Sequence, residues 1–244
     1  MCGRFTLKTP VADWLADLFP SWVVDPESVI ASIPVELTLT RFNIAPSQQI
    51  VVVRCGRDGK PIFEGMRWGL VPSWSTSLTG GYNMINARSE SLADKPSFRP
   101  LLTNQRCAIL TDGYYEWKKL TAKTKEPYWI HTKCQTVFAM AGLWAQNRQI
   151  PNPLSPGNPI RSATIITTQS NTDVLHVHDR MPAILPCESK IADWLSPSLN
   201  DVDKVERLLA QLQPSPVGVL QLRQVSTMVN SPASDAIELL HPIE

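Results

Sequence analysis

The stretch CAILTDGYYEW, residues 107–117, carries the clearest structural signal in the chain. It is rich in apolar and aromatic residues of the kind that pack well on a pleated sheet. The segments YWIHT (128–132) and VFAMAGLWA (137–145) have the same character. We therefore predict that these three segments form strands of one sheet.

Further strands are predicted on both sides of this region. IVVVR (50–54) and IFEGMRWGL (62–70) are expected to form a hairpin, because Asp58-Gly59 lies between them and favours a tight turn. SATIITTQS (162–170) is rich in β-branched residues and is predicted to be another strand. The last 25 residues are expected to return to the sheet as strands or loops.

Helices are predicted in smaller number. The segments with helical spacing are VADWLADLF (11–19), SKIADWL (189–195) and DVDKVERLLAQLQ (201–213). Residues 21–49 contain several prolines and are predicted to be irregular. Residues 72–83 and the Pro- and Asn-rich segment 146–159 are predicted to be surface loops. These elements predict an α+β fold dominated by β structure, with a curved sheet or barrel-like core and flanking helices.

The composition is that of an ordinary globular protein, and we expect one domain over residues 1–244. Of the 244 residues, 43% are hydrophobic and 18% are charged, and the net charge is +1. This charge excludes a uniformly basic nucleic-acid binder. Between residues 41 and 133, however, basic residues outnumber acidic ones two to one, which allows a local groove for anions. Unpatterned surface charge is the alternative.

No targeting segment or metal motif is visible. The N-terminus MCGRFTLKTP lacks the apolar core of a secretory signal, and no apolar run approaches the length of a membrane span. The five cysteines are scattered and form no CxxC pair. We therefore expect a cytoplasmic protein without disulfides, with no metal, no cofactor and no membrane partner.

Cys2 is the first candidate for chemistry. Removal of Met1 would leave a cysteine that carries both a free α-amine and a thiol. Such an amine condenses with an aldehyde to an imine, and the thiol then closes a five-membered thiazolidine ring. Alternatively, the thiol of an N-terminal cysteine attacks an amide carbonyl, as in glutamine amidotransferases. A cysteine peptidase that pairs Cys2 with a histidine, and a Cys2 without any chemical role, also remain open.

Candidate acid and base groups lie in two further motifs. Glu116 is placed among aromatic residues in DGYYEW (112–117), where burial would raise its pKa and suit it to acid–base work. A solvent-facing glutamate on an alternating strand is the alternative, and the strand pattern alone favours it. His176 and His178 share one face of LHVHDRMP (175–182) if that segment is extended.

Polar and aromatic groups for a ligand are found in two other segments. Asn86, Arg88 and Glu90 share a face of NMINARSES (83–91) if it is extended, and the arginine suits phosphate. A turn asparagine and a surface arginine are the alternative. In RWGLVPSW (67–74), the tryptophans can stack on bases, although a core position is favoured for Trp68.

Taken in order, six blocks resemble those of the SRAP domain family, the SOS-response-associated peptidases. The blocks are MCGRF (1–5), RFNIAP (41–46), WGLVPSW (68–74), INARSE (85–90), DGYYEW (112–117) and HDRMP (178–182). The tail VSTMVNSP (225–232) also fits, so the resemblance covers essentially the whole chain.

The resemblance implies a function and a set of residues. Proteins of this family capture the aldehyde of an abasic site in single-stranded DNA as a thiazolidine, which shields the lesion. The implied catalytic residues are Cys2, Asn86, Glu116 and His178. The implied DNA-binding residues are Arg4, Asn43, Pro46, Trp74, Arg88 and Arg180.

The resemblance also implies a β-rich domain with a basic DNA channel. Autoprocessing as a thiol peptidase and a weak lyase activity are expected beside the crosslink, and we expect a monomer that joins the nucleoid when bound to DNA. The chain departs from some family members at Ser75, where they have a second tryptophan, and at Tyr114-Tyr115, where they have Trp-Phe. A noncovalent module for single-stranded DNA remains an alternative.

Overall fold

Strands make up most of the regular structure in the computed structural model, which describes residues 2–78, 84–196 and 202–243. The strands are β1 (Arg4–Leu7), β2 (Arg41–Ile44), β3 (Gln49–Cys55), β4 (Pro61–Trp68), β5 (Asn86–Arg88), β6 (Arg106–Thr111), β7 (Gly113–Lys119), β8 (Lys125–Thr132), β9 (Phe138–Asn147), β10 (Ile160–Gln169), β11 (Arg180–Pro182), β12 (Ile184–Leu185) and β13 (Leu220–Gln224). The helices are α1 (Val11–Leu18), α2 (Pro26–Ser32), α3 (Thr172–Leu175), α4 (Glu188–Leu195) and α5 (Val202–Ala210).

Five of the described strands close into a barrel. In the order β10-β4-β3-β6-β9, each strand hydrogen-bonds to the next, and β9 returns to pair with β10. The closing pair is antiparallel and runs from Ile160 opposite Asn147 to Ile165 opposite Gly142. On its other side, β10 pairs with β4 in parallel. The predicted α+β fold class with a barrel-like core is confirmed.

A second sheet lies beside the barrel, with the strand order β13-β8-β7-β1-β2. The stretch 107–117 supplies both layers, since β6 belongs to the barrel and β7 to the second sheet. The prediction of one sheet for the segments 107–117, 128–132 and 137–145 is therefore wrong. The crossing occurs at Asp112-Gly113, where a Cβ on the glycine would lie 2.3 Å from Nε1 of Trp129. Only glycine lets the chain pass so close to that ring.

Asp112 joins the two layers through its carboxylate, which is fully buried. One oxygen accepts from the Thr6 hydroxyl (2.5 Å), and the other accepts from the backbone N–H groups of Lys8 (2.7 Å) and Thr9 (2.8 Å). The Thr9 hydroxyl donates as well (2.9 Å). A buried carboxylate is tolerated when donors surround it in this way, and the start of the chain is thereby fixed against the barrel.

Replacing Asp112 by asparagine is expected to lower the free energy of unfolding by about 2–4 kcal/mol, because the new amide would face N–H and O–H donors with a donor of its own. Urea unfolding at neutral pH measures the loss. Asp94 is exposed, and Asp94→Asn is the matched control, with an expected change within about 0.5 kcal/mol. Equal stability of the two variants would contradict the role assigned to Asp112.

The remaining elements agree with the sequence in most places. The hairpin is confirmed as β3 and β4, which pair in antiparallel register, and the helices at 11–19 and 189–195 are confirmed as α1 and α4. The third helix is confirmed as α5, although residue 201 lies outside the described residues, as do residues 79–83 of the predicted loop 72–83.

The prediction of an irregular segment 21–49 is wrong, because it contains α2 and β2. Pro26 opens the helix, and the Asp25 side chain accepts from the Ser28 N–H (3.2 Å) as its N-terminal cap. β2 is held by pairing with β1. The loop 146–159 begins later than predicted, because Asn147 is a buried residue of β9 whose amide binds the Pro72 carbonyl (2.7 Å).

The predicted core position of Trp68 is confirmed, since the ring is fully buried. It meets Phe5 of the second sheet edge to face, with ring centroids 5.1 Å apart, and its Nε1 donates to the Ile85 carbonyl (3.0 Å). The apolar core therefore continues from the barrel into the second sheet.

None of the helices in the described part of the chain has the length and apolar composition that a bilayer crossing requires.

Candidate functional site at the start of the chain

Cys2 lies two residues before β1 and is fully buried. Its Sγ is 3.7 Å from the carbonyl oxygen of Arg4. Burial raises the pKa of the Cys2 thiol, and the charge of Glu116 raises it further. The thiol is therefore protonated at neutral pH and needs a neighbouring proton acceptor to become a nucleophile.

Glu116 provides a carboxyl group beside this thiol. β7 pairs with β1 so that Tyr115 lies opposite Arg4, which brings Glu116 next to the residues that precede β1. The side chain is 2% exposed, and burial raises the pKa of Glu116 to about 7. The buried position is confirmed, and the solvent-facing position, which the strand pattern alone favoured, is wrong. Such a carboxyl group both gives and takes protons at neutral pH.

His178 is the histidine that faces Glu116. Its Nε2 lies 4.0 Å from Oε2 of that residue, whereas His176 is exposed at the end of α3. The two histidines would share a face only on an extended segment, and the segment is not extended, because the chain turns after α3. The turn is fixed by the His178 N–H, which donates to the Val174 carbonyl (3.0 Å).

The hydrogen bonds of His178 determine where its proton resides. Nδ1 accepts from the backbone N–H of Arg180 (3.0 Å), and burial lowers the pKa of His178. The ring is therefore neutral at pH 7 and carries its proton on Nε2, toward Glu116. Oδ1 of Asp179 also comes within 3.0 Å of Nδ1, but a nitrogen that accepts from a backbone N–H has no proton left for this carboxylate.

β5 places Asn86 against the start of the chain. This strand pairs in parallel with β10, with Asn86 beside Ile165. Nδ2 of Asn86 donates to the carbonyl oxygen of Cys2 (2.8 Å) and fixes its backbone. Oδ1 is buried and has no hydrogen-bond partner within the described ranges, so it can accept from an amine at Cys2.

The structure thus gathers Cys2, Asn86, Glu116 and His178 where the barrel meets the second sheet. The site holds a buried thiol, a buried proton carrier, an N–H donor and an acceptor that has no partner among the residues the structure describes. These groups suit the addition of nitrogen and sulfur to a carbonyl carbon, since each addition must move protons.

Arg4 and Asn43 are bound to the C-terminal tail. Nη1 of Arg4 donates to Oδ1 of Asn43 (3.1 Å) and to the Val229 carbonyl (2.7 Å). Nδ2 of Asn43 donates to the carbonyls of Ser231 (2.9 Å) and Ser234 (2.8 Å). Both side chains therefore hold the tail beside the site, and a contact of either with DNA stays a prediction.

Arg180 is engaged in the same manner. Its guanidinium binds both carboxylate oxygens of Glu90 (2.6 and 2.9 Å), and Nη2 also donates to the Thr167 carbonyl (2.6 Å). Glu90 does not extend the face of Asn86 and Arg88, because β5 ends at Arg88 and a 3-10 helix follows. The ion pair instead fixes the segment whose backbone N–H orients His178.

The other three predicted DNA-binding residues reach the surface to different degrees. Trp74 is 64% exposed, Arg88 is exposed and Pro46 is half-buried. Ser47, which follows Pro46, has a φ of 76°, so the chain bends sharply there. Trp74 and Arg88 are thus exposed, and a contact of any of the three residues with DNA stays a prediction.

Sequence reasoning missed Tyr114 as a residue of this neighbourhood. Tyr114 and Glu116 are two positions apart on β7 and share a face of the strand. The tyrosine is fully buried. The alternation of side-chain directions along the strand was the sequence feature that would have indicated its position.

The chain matches a family model described as SOS response associated peptidase (SRAP) over residues 1–232. It is 39% identical over 241 residues to the abasic site processing protein YoqW of Bacillus subtilis, covering 98% of this chain and 99% of that protein. The abasic site processing protein HMCES of Gallus gallus is 33% identical over 201 residues, covering 73% of this chain and 57% of that protein.

The fold also matches solved structures. A crystal structure of a protein from Bacteroides thetaiotaomicron superposes with a TM-score of 0.77 at 21% identity and covers both chains fully. A protein from Bordetella bronchiseptica superposes with a TM-score of 0.69 at 22% identity, covering 92% of this chain and all of the other. At these identities, the matches establish the fold alone.

Proposed function

Because this chain belongs to the SOS response associated peptidase (SRAP) family, we propose that it processes abasic sites in DNA by covalent capture. With Met1 removed, the amine and thiol of Cys2 trap the aldehyde of an abasic site in single-stranded DNA as a thiazolidine. The observation that carries the proposal is the setting of Cys2: Asn86 holds its carbonyl, and Glu116, with a pKa of about 7, lies beside its thiol.

The first stage of the reaction makes an imine. An abasic deoxyribose is mostly a closed hemiacetal, and Glu116, as a carboxylic acid, gives its proton to the ring oxygen and takes that of the C1′ hydroxyl. The Cys2 amine adds to the aldehyde carbon, and one amine proton passes to the oxygen. Glu116 then protonates this hydroxyl, which leaves as water as the C=N bond forms.

The second stage closes the ring. The sulfur of Cys2 bonds to the imine carbon, the π electrons move to nitrogen, and the thiol proton returns to Glu116. The carboxyl group ends as it began, and one water is the by-product. The Nε2–H of His178 assists the proton transfers at the sugar oxygens, and Oδ1 of Asn86 accepts from the ring N–H.

Two side activities follow from the same groups. A thiol beside a proton-carrying carboxyl group suits cleavage of the Met1–Cys2 bond, which is the autoprocessing expected of a thiol peptidase. The imine also acidifies the neighbouring C2′ position, so β-elimination of the 3′ phosphate gives a weak lyase activity.

The DNA partner is proposed to be single-stranded. A flexible strand can present its sugar to a recessed site, while the exposed Arg88 binds a phosphate and Trp74 stacks on a base. The four reacting groups come from one chain, so a monomer suffices, and it would be found on the nucleoid when bound to DNA.

Replacing Trp74 by alanine is expected to weaken noncovalent binding of a single-stranded oligonucleotide roughly 5- to 100-fold, because one base loses its stacking partner. Fluorescence anisotropy at fixed salt measures the dissociation constant. Val24 is 94% exposed, and Val24→Ala is the control for loss of an exposed apolar side chain, with affinity unchanged. Equal affinity of both variants would remove Trp74 from the DNA-binding surface.

Intact-mass spectrometry before and after incubation with an abasic single-stranded oligonucleotide tests the proposed function. We expect the free protein to lack Met1, and the product to have the mass of protein plus oligonucleotide minus one water and to survive heat and high salt. A complex that dissociates fully in salt would instead identify a noncovalent binding module. Release of ammonia from glutamine would identify an amidohydrolase.

A further inference from the structure

Tyr114 occupies the same face of β7 as Glu116, and its ring belongs to the same main apolar core as Cys2. Its neighbour Tyr115 points the other way and packs with Trp129 and Val225 in a separate cluster. The two adjacent tyrosines are both fully buried, yet only Tyr114 faces the groups of the site.

The hydroxyl groups of the two tyrosines differ in their hydrogen bonding. The Tyr115 hydroxyl donates to the Phe42 carbonyl (2.8 Å). The Tyr114 hydroxyl is buried and finds no hydrogen-bond partner in the part of the chain that the structure describes. A buried hydroxyl without a partner is costly and rare in native proteins, so Tyr114 calls for an explanation that packing of its ring does not give.

The surroundings of Tyr114 make it a hydrogen-bond donor. Burial raises the pKa of Tyr114 well above its usual range, and the charges of Glu116 and Cys2 raise it further. The phenol therefore keeps its proton throughout the neutral range. A second buried atom of the same site, Oδ1 of Asn86, also has no partner among the described residues. Within the described ranges, the site thus has one buried donor and one buried acceptor that are free to bind a substrate.

We propose that the hydroxyl of Tyr114 donates a hydrogen bond to the oxygen on C1′ of the opened sugar. This inference rests on the proposed function. When the Cys2 amine adds to the aldehyde, the C=O π electrons move onto that oxygen, and a fixed donor in a water-poor site stabilises the developing charge. Nδ2 of Asn86 already donates to the Cys2 carbonyl. The Tyr114 hydroxyl therefore supplies a separate donor for the C1′ oxygen.

The hydrogen bond acts on formation of the imine and not on closure of the ring. Tyr114 keeps its proton throughout: the oxygen first receives a proton from the amine and then one from Glu116, and it leaves as water. After that departure the tyrosine has no oxygen to bind at C1′, and sulfur addition proceeds without it.

Tyr114→Phe tests the inference, because it removes the hydroxyl and preserves the ring. Imine formation, measured by borohydride trapping in single turnovers, is expected to slow roughly 100- to 1000-fold, with the dissociation constant of the oligonucleotide unchanged. The rate of ring closure after imine formation should stay within about 2-fold. The melting temperature should be unchanged or higher, because an unpartnered polar atom is removed.

Tyr115→Phe is the matched control and is expected to behave in the opposite way. It breaks a made hydrogen bond, so the melting temperature should fall by roughly 2–4 °C, while imine formation stays within about 2-fold. Imine formation at the unaltered rate in Tyr114→Phe would overturn the inference. If the unaltered protein forms neither imine nor stable adduct, the proposed function itself fails, which separates the two outcomes.

Discussion

A Cys2→Ala protein is expected to form no heat-stable adduct with abasic single-stranded DNA. Alanine retains the α-amine of a processed terminus, so an imine can still form, but no sulfur is present to close the ring, and imines hydrolyse on heating. The fold should persist, because only one small buried side chain is shortened, at a cost of about 1 kcal/mol. A denaturing gel after heating, with and without borohydride trapping, measures both species.

Two further variants serve as comparisons for Cys2→Ala. Cys2→Ser should form the imine and close the ring poorly, since a hydroxyl is the weaker nucleophile. Cys134 is exposed, so Cys134→Ala controls for loss of a reactive surface thiol and should crosslink like the unaltered protein. A heat-stable adduct that persists in Cys2→Ala would contradict the thiazolidine and leave only a role for the amine.

The sequence predicted individual strands better than their assembly. The apolar run at 107–117 signals strand over its whole length, and nothing in that pattern reveals that Asp112-Gly113 carries the chain from one sheet to another. That crossing depends on donors far away in the chain, such as the hydroxyl of Thr6. Closure of the barrel by β9 and β10 is likewise a long-range pairing, which local periodicity cannot report.

For the site, too, the sequence indicated features that depend on neighbouring residues and did not reveal contacts between residues far apart in the chain. The aromatic neighbours of Glu116 in the sequence indicated a buried carboxyl group, whereas the alternation of the strand alone favoured a solvent-facing one. The hydrogen bonds of Arg180 with Glu90 and of Arg4 with Asn43 were not predicted, because these partners lie 90 and 39 residues apart. The resemblance to the family favoured His178 over His176. The turn after α3 explains why His178, and not His176, faces Glu116.

Replacing Glu116 by glutamine is expected to slow crosslinking roughly 100-fold or more, the usual loss when a positioned acid–base group is removed. Glutamine fills the same space but can neither take the thiol proton nor return a proton to the leaving oxygen. Single-turnover adduct formation at saturating DNA measures the rate constant, and oligonucleotide affinity should change little. Glu238 is exposed, so Glu238→Gln serves as the control and should react at the unaltered rate.

The same substitution is expected to stabilise the protein at high pH. Burial raises the pKa of Glu116 from 4.5 to about 7, so the folded state holds this proton more tightly than the unfolded chain does. In the unaltered protein, the stabilisation from the tightly held proton of Glu116 is fully present below pH 4.5 and is lost as the pH rises through 7.

Glutamine cannot ionise, so the unfolding free energy of Glu116→Gln relative to the unaltered protein should rise by roughly 2–3 kcal/mol between pH 4 and pH 8. Urea unfolding at the two pH values measures this difference, which should be near zero for Glu238→Gln. A slow variant without the pH-dependent gain would show that Glu116 is not a desolvated carboxyl group, and its role as proton carrier at neutral pH would lose its physical basis.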